Sequence, residues 1–423
     1  MLLSDLIFNK IRVLVIVFFT TFTFVNAATV KLGIDNLIDS QFELIKGKRV
    51  ALLTNSSGRT GSLEATAEVF SRQKSFTLTS ILMPEHGYYS TVPAGQNVES
   101  DSLFGVPAYS LYGKNRRPTW AMLKNSDIVV VDIQDIGIRS YTYISTLINV
   151  MDACAELNKP VLILDRPNPF GGLIVDGNVA DTSLLSFVSI IPIPYVHGLT
   201  IAELAQMANE SGWLPKDKNG IPRKVTLQII PMTGWTRSME WEQTGLIWLP
   251  TSPNIPTVQA VRGAATTGVI GELAIVSIGI GTSLPFQYFG LPALKNSESI
   301  ALLTAVKDTG GIEGVITKFR ATSGKYSQED CNGLFISFVQ NGNYKPYSAG
   351  INLLLMLRKL HPELFTPQSI GTAQQSMFKK VTASPILSKE LLNFGTDQQV
   401  RAASQVGISD FLEKREKFLL YKE

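Results

Sequence analysis

The sequence contains few cysteines, few histidines and little net charge. Its 423 residues include two Cys and three His, and 38 Lys and Arg nearly balance 35 Asp and Glu. Cys154 and Cys331 allow at most one disulfide bridge, and no CxxC or Cys/His cluster indicates a zinc site. The balanced charge provides no basic excess for a phosphate backbone. We therefore expect neither a metal nor a nucleic-acid partner.

Several signature motifs are also missing from the chain. It has no GxGxxG after a strand, no GxxxxGK[ST], no HExxH and no GxSxG elbow. Dinucleotide cofactors, phosphoryl transfer, zinc proteolysis and α/β-hydrolase chemistry lose their usual sequence support, and we expect no cofactor. The chain is 45% hydrophobic and 17% charged, which predicts one large or two packed domains.

The first 27 residues have the pattern of a signal peptide. Lys10 and Arg12 precede the apolar run 13–25, and small residues follow up to Ala27. We expect cleavage after Ala27 and export to the bacterial periplasm or the medium, where a protein with few cysteines is not unusual. The alternative, an uncleaved anchor, is disfavoured because the run is shorter than the ~20 residues that span a bilayer.

Apolar strand-like runs alternate with helical stretches in the first half of the chain. The runs are continuously apolar, as in strands whose sheet is covered on both faces. This alternation predicts an α/β fold with a mostly parallel sheet. The predicted strands are 49–54, 78–83, 127–133 and 160–165, and the predicted helices are 63–72 and 141–157.

A proline-rich segment at 249–256 marks the expected domain boundary, since it can continue neither a helix nor a central strand. We assign 28–256 to the larger α/β domain and 257–423 to a smaller α+β domain. In the second domain the patterns predict helices at 299–306, 350–360 and 408–420 and a strand at 333–340.

Polar residues stand at the ends of all four predicted strands. Ligands of open parallel sheets bind outside the carboxyl ends of the strands, so these residues are expected to share one pocket. They include Asn55 after the first strand, Glu85 and His86 after the second, Asp132, Gln134 and Asp135 after the third, and Asp165, Arg166 and Asn168 after the fourth.

The sequence Pro84-Glu85-His86-Gly87 directly follows the second predicted strand. A carboxyl group at the edge of an apolar strand end is suited to general acid catalysis. The structural alternative is that Glu85 caps the next turn.

The segment 132–143 combines acids, an amide, an arginine and two tyrosines, which is typical of side chains that grip a sugar ring. The alternative is that Asp135 caps the next helix and Tyr143 packs in the core. Arg139 is expected either to pair with nearby acids or to hold a substrate carboxylate.

Four polar residues, Asp165, Arg166, Asn168 and His197, lie in stiff turns or just before a helix. Asp165 and Arg166 form either an ion pair that holds their loop or a direct ligand contact, and the neighbouring prolines present Asn168. His197 lies just before Thr200, which with Glu203 predicts a capping box and therefore a helix start.

In their order along the chain, these motifs resemble the NamZ-type exo-β-N-acetylmuramidases, a family long catalogued as a domain of unknown function. An ordered set of this kind is more specific than any single motif. The matching stretches are 47–55, 84–87, 109–113, 132–146, 165–172, 197–198 and 252–257.

The resemblance implies a Rossmann-like domain, a smaller second domain and an active-site cleft between them. It also implies hydrolysis of a terminal, non-reducing N-acetylmuramic acid from peptidoglycan fragments. Glu85 is the favoured catalytic carboxyl group, and Arg139 or Arg166 would meet the lactyl carboxylate of the sugar. We assign Glu85, His86 and Asp135 to catalysis and the following residues to substrate binding: Asn55, Asp132, Gln134, Arg139, Tyr141, Asp165, Arg166, Asn168, His197, Asn254 and Glu272.

The second catalytic group and the stereochemical outcome stay open. Asp132, Asp135, Asp165 or Glu272 could partner Glu85 as the acid, and the acetamido group of the substrate could itself serve as nucleophile.

The stretch 272–287 departs from the family pattern. It keeps Glu272 but has Ile278, Ile280, Leu284 and Gln287 where relatives carry charged residues. The apolar replacements motivate one alternative function, a non-catalytic envelope protein that binds muropeptides or related amino sugars. A periplasmic solute-binding protein is a third hypothesis, disfavoured by the single crossover near residue 250.

Overall fold

A computed structural model describes residues 30–339 and 344–422. The predicted signal peptide therefore lies outside the described residues. The larger sheet has seven strands in the order β3-β4-β2-β1-β5-β6-β7, and every neighbouring pair is parallel except β3 with β4. The strands are β1 (Arg49–Thr54), β2 (Thr77–Met83), β3 (Asp101–Leu103), β4 (Val106–Ser110), β5 (Ile128–Asp132), β6 (Val161–Leu164) and β7 (Leu227–Ile230).

The central strands are buried along almost their whole length. All residues of β5 and β6, and all but the first of β1, are buried, which explains their continuous apolar runs. The Thr200–Glu203 capping box is present in both directions and starts α5 as predicted. The helices of this part are α1 (Gly33–Asp39), α2 (Thr66–Ser71), α3 (Trp120–Leu123), α4 (Thr142–Glu156) and α5 (Ile201–Glu210).

A second, antiparallel sheet has three strands in the order β8-β10-β9. They are β8 (Tyr288–Leu291), β9 (Ile312–Arg320) and β10 (Asp330–Phe338). The helices that accompany this sheet are α6 (Val258–Gly263), α7 (Val269–Gly271), α8 (Asn296–Lys307), α9 (Pro346–Leu360), α10 (Thr372–Thr382), α11 (Pro385–Leu392), α12 (Asp397–Ala403) and α13 (Ile408–Arg415).

A π-helical segment, Ala264–Gly268, joins α6 to α7 and gives one helical rod with a bulge. Such bulges frequently occur at functional sites. Here the bulge borders the cavity described below, since Ala264 and Gly268 line it.

The two sheets give the predicted class, an α/β fold with a smaller α+β part, and that prediction is confirmed. The boundary at 256 stays a prediction. The parts also exchange segments, because Ile138 and Phe170 pack in the core of the second sheet and Phe411 and Phe418 pack beside the first.

Some local expectations change in the structure. The last helix ends at Arg415, and a short 3₁₀ turn, Glu416–Phe418, replaces the rest of the predicted helix because the chain turns back to the first sheet. Both cysteines are buried and free. Within residues 30–339 and 344–422, no helix combines the length and apolarity that a bilayer crossing requires.

Candidate active site

A cavity of about 440 Å³ lies between the carboxyl ends of β2 and β5 and the helix that contains the π segment. Glu85 and His86 line it from the loop after β2, and Glu272 lines it from the end of α7. Its remaining walls are largely apolar or aromatic and include Ile136, Ile138, Tyr141, Val188, Tyr195, Asn254, Ile255, Ile278, Ile280 and Phe286. Glu85, His86, Tyr141, Asn254 and Glu272 are thus the predicted site residues that the structure brings to this cavity.

The Glu85 carboxyl group is buried and held by three hydrogen bonds. Oε2 accepts one from the Thr142 hydroxyl at 2.5 Å, and Oε1 accepts one from the Gly95 backbone N–H at 3.0 Å. The Tyr112 hydroxyl also hydrogen-bonds to Glu85; burial, together with the charge of Glu85 and this bond, raises the pKa of Tyr112 to about 12. The carboxyl group is therefore fixed in orientation at the cavity wall.

The loop after β2 positions Glu85 through an unusual turn at His86. His86 has φ 72°, in the left-handed region that non-glycine residues seldom adopt, and Gly87 has φ 73°. The His86 Nδ1 atom lies 2.7 Å from the Val92 carbonyl oxygen, which closes the loop. His86 is therefore both a lining residue and part of the support for Glu85.

Glu272, which lines the same cavity, lies in a different environment. In the described part of the chain its carboxyl group has no hydrogen-bond donor or paired cation. Burial raises its pKa to about 7. A carboxyl group with this pKa is largely available as a proton donor near neutral pH.

Tyr141 and Asn254 complete the polar part of the lining. The Tyr141 hydroxyl donates to Thr251 Oγ1 at 2.8 Å, which ties the start of α4 to the proline-rich segment. Asn254 belongs to that same segment and faces the cavity. The segment predicted as a domain connector therefore also supplies cavity wall.

Asp135 and His197 form a buried pair outside the lining. Asp135 Oδ2 accepts from the Gly137 N–H at 2.7 Å and lies 3.5 Å from His197 Nε2. Asp135 Oδ1 and His197 Nε2 have no hydrogen-bond partner among the described residues. Asp135 does not cap α4, whose N-cap residue is Tyr141.

Asp132 and Arg166 form a buried ion pair with two contacts. Arg166 Nε and Nη2 lie 2.6 and 2.8 Å from the two oxygens of Asp132. Arg166 also donates to the Arg59 carbonyl, and Thr66 donates to Asp132. Arg166 thus pairs with Asp132 instead of its neighbour Asp165.

Gln134 lies between the same two loops. Its side-chain nitrogen donates to the backbone carbonyls of Asp135 and Pro167, both at 2.8 Å. Gln134 and Arg166 line a separate, small cavity of about 30 Å³, and neither lines the larger one.

The remaining strand-end residues serve the fold. Asp165 accepts from the Ala202 N–H at the start of α5 and from the Tyr421 hydroxyl, and burial raises its pKa to about 7. Asn168 bonds to the backbone of Leu199 and Phe170.

Asn55 bonds to three side chains around the end of β1. Its side-chain nitrogen donates to Ser90 and Tyr143, and its oxygen accepts from Ser57. Tyr143 is fully buried, as the structural alternative expected.

Arg139 is a correction to the sequence analysis. Its guanidinium is 1% exposed and uses all five N–H groups: four donate to the backbone carbonyls of Asn178, Ile193, Val381 and Thr382, and one donates to Ser189. No donor is left for a substrate carboxylate. Arg139 instead ties the loop after β5 to the end of α10.

Sequence reasoning missed several residues of the site. Thr142 gave no signal as the donor to Glu85, because its position one residue after Tyr141 is unremarkable in a helix. Tyr112 stood in a recognised motif, but the pattern of that motif did not reveal its bond to Glu85. The departure at 272–287 did mark cavity residues, since Ile278, Ile280 and Phe286 line the wall.

Comparisons with known proteins place this geometry in a family. Residues 50–259 match the family described as exo-β-N-acetylmuramidase NamZ, N-terminal, and residues 265–421 match its C-terminal counterpart. The chain belongs to the NamZ family. Membership makes the chain a glycoside hydrolase by homology.

Individual NamZ-family relatives align over nearly the whole chain. The peptidoglycan β-N-acetylmuramidase NamZ of Bacillus subtilis strain 168 is 33% identical over 394 residues, which cover 93% of this chain and 91% of the relative. Two crystal structures of DUF1343 family proteins from Bacteroides fragilis are similar as well. One has a TM-score of 0.84 at 33% identity and the other 0.71 at 28%, and each alignment covers 93% of this chain and 99% of the other.

Proposed function

We propose that this protein is an exported exo-glycosidase that removes terminal, non-reducing β-linked N-acetylmuramic acid from peptidoglycan fragments. The observation that carries the proposal is that two carboxyl groups, those of Glu85 and Glu272, line one cavity. Glycoside hydrolysis characteristically uses such a pair. Family membership and the activity of the Bacillus subtilis relative support the substrate.

The surroundings of the two carboxyl groups distinguish their roles. Hydrolysis breaks the bond between the anomeric carbon and the leaving oxygen, which takes up a proton, while water adds to the anomeric carbon. Glu272, with a pKa of about 7 and no stabilising donor, suits the proton donor. Glu85, whose oxygens accept hydrogen bonds, then serves as base, nucleophile or orienter of the acetamide. Glu272 therefore takes the role of acid, which the sequence had predicted for Glu85.

The cavity walls suit a sugar with an acetamido group. Tyr141, Tyr195 and Phe286 offer aromatic faces, while Asn254 and the hydroxyls of Ser140 and Ser252 offer hydrogen bonds. Export to the envelope, where peptidoglycan fragments occur, is part of the proposal and rests on the signal-peptide pattern.

The decisive experiment compares Glu85→Gln with the wild-type protein on a chromogenic N-acetylmuraminide and on the matching N-acetylglucosaminide. We expect the wild type to prefer the muraminide and Glu85→Gln to lose about 10²–10⁴-fold in kcat, the usual contribution of a catalytic carboxyl group. Glu99→Gln, an exposed acid in the neighbouring loop, is the matched control. A wild-type protein that binds muropeptides in calorimetry but releases no sugar would favour the receptor alternative.

A further inference from the structure

The carboxylate of a muramic acid substrate needs a cation that the predicted arginines do not provide. Arg139 has no free donor, and Arg166 pairs with Asp132. The residues that line the cavity include neither lysine nor arginine. Any cation that meets the substrate must therefore approach from the rim of the cavity.

Arg116 stacks on two aromatic rings, and each ring belongs to a residue that bonds to or neighbours a residue of the cavity wall. Its Cζ atom lies 4.3 Å from the ring centre of Phe187 and 5.5 Å from that of Tyr112. Phe187 precedes the cavity residue Val188, and Tyr112 hydrogen-bonds to Glu85. These two rings, whose centres lie 5.9 Å apart, thus connect Arg116 to the cavity wall and to Glu85.

The guanidinium of Arg116 is also available to a ligand. Its side chain is exposed, and no acidic side chain in the described part of the chain forms an ion pair with it. The adjacent Arg117 differs, because it pairs with Asp152 and Glu156. Stacking on aromatic rings holds a guanidinium in place while its edge N–H groups stay free for a carboxylate.

We propose that Arg116 binds the lactyl carboxylate of N-acetylmuramic acid and thereby determines the preference for this sugar over N-acetylglucosamine. The inference rests on the proposed function for the identity of the sugar. N-Acetylglucosamine lacks the lactyl group, so Arg116 contributes nothing specific to its binding. The planar guanidinium of an arginine can donate two parallel hydrogen bonds to a carboxylate, and a lysine cannot reproduce this geometry.

Calorimetric binding of free N-acetylmuramic acid and free N-acetylglucosamine tests the inference in the wild type, Arg116→Gln and Arg116→Lys. Lys124→Gln is the matched control, because Lys124 lies over the Trp120 ring on the surface without lining the cavity. We expect Arg116→Gln to lower the affinity for N-acetylmuramic acid about tenfold or more, and Arg116→Lys to lower it less. The affinity for N-acetylglucosamine should stay within about twofold of the wild-type value in every variant.

Other outcomes would overturn the inference. They are a wild type that binds both sugars equally or neither of them, an Arg116→Gln variant that keeps the wild-type preference, and equal losses for Arg116→Gln and Lys124→Gln.

Turnover separates this inference from the proposed function. If the wild type hydrolyses the chromogenic muraminide and Arg116→Gln keeps its ratio of kcat/KM between the two sugars, only the role of Arg116 fails. If the wild type hydrolyses neither substrate, the proposed function fails, and the binding ratios still decide whether Arg116 recognises the carboxylate.

Discussion

Glu85 and Glu272 face the same cavity but differ in what surrounds their carboxyl groups. Glu85 accepts hydrogen bonds from Thr142 and Gly95, whereas burial raises the pKa of Glu272 to about 7 without a compensating donor. Two carboxyl groups in contrasting environments are the usual basis for dividing acid and base roles. The pH dependence of the reaction should therefore report on Glu272.

We expect kcat/KM of the wild type to fall as the pH rises above about 7. A proton donor is active only when protonated, and Glu272 loses its proton through that range. Above its pKa the rate should decrease about tenfold per pH unit, since the protonated fraction does. A pH–rate profile on the chromogenic muraminide measures this.

Glu272→Gln should have a low kcat/KM at every pH, without the decrease above pH 7. The control Glu99→Gln should show the same decrease as the wild type. A wild-type rate that instead falls below pH 7 would assign Glu272 the role of base and return the proton donor to Glu85.

At the residue scale the sequence predicts which side chains are polar and near a strand end, but not their partners. Glu85 reaches the cavity as predicted. Arg139, only four residues after Asp135, is taken up by carbonyl groups of residues as distant as Val381 and Thr382. No local pattern reveals such long-range contacts, so a structural arginine and a ligand-binding arginine look alike in sequence.

The helical rod that carries Glu272 depends on close contact with α9. A Cβ atom built on Gly350 would lie 2.1 Å from the Thr266 carbonyl oxygen, which belongs to the π segment. That contact is with backbone, so neither side can yield without moving a helix. The glycine therefore allows α9 and the π segment to approach, and the π segment borders the cavity.

Gly350→Ala should destabilise the protein by about 1–3 kcal/mol, the usual cost of overpacking a core. The free energy of unfolding from urea titration measures the effect. Gly268→Ala is the matched control, because a Cβ atom there meets only side-chain atoms of Phe286 and Tyr195 at 3.9 and 4.0 Å. If both variants unfold at the same urea concentration, the packing argument fails.

Strands and helices with a clear apolar pattern in the sequence were predictable, and short or exposed strands were not. The buried strands β1, β2, β5 and β6 match their predicted runs within about two residues. Two edge strands, β3 and β7, are only partly buried and lack such a run. The π bulge also escapes prediction, because residues 260–267 are all buried and their sequence therefore shows no helical period.

On the scale of the whole molecule, the end of the chain fastens the first sheet. The Tyr421 hydroxyl donates to Asp165 Oδ2 at 2.5 Å and accepts from the Met232 N–H at 2.9 Å. The Leu420 N–H donates to Glu203, which also pairs with Arg237. The predicted boundary at 256 assigns the tail to the second domain, because nothing local in the tail indicates contacts with residues 189 to 256 positions earlier.

Tyr421→Phe should therefore destabilise the protein, and more so at high pH. Burial already raises the pKa of Asp165 to about 7, and the Tyr421 bond lowers it. Losing the hydroxyl raises that pKa further. Ionising Asp165 in the folded state then costs more in the variant than in the wild type. This extra cost is absent while the folded Asp165 is protonated, and it grows as the pH rises above about 7.

Unfolding of Tyr421→Phe at pH 5 and at pH 8 measures this dependence. We expect a loss of about 1.5–3 kcal/mol at pH 8, the size of a hydrogen bond to a charged group, and a smaller loss at pH 5. Tyr89→Phe, which removes a hydroxyl from a side chain that is 65% exposed, should change stability little at either pH. Equal losses for Tyr421→Phe at both pH values would show that Asp165 does not titrate in this range and that the hydroxyl stabilises the fold through hydrogen bonds that do not depend on pH.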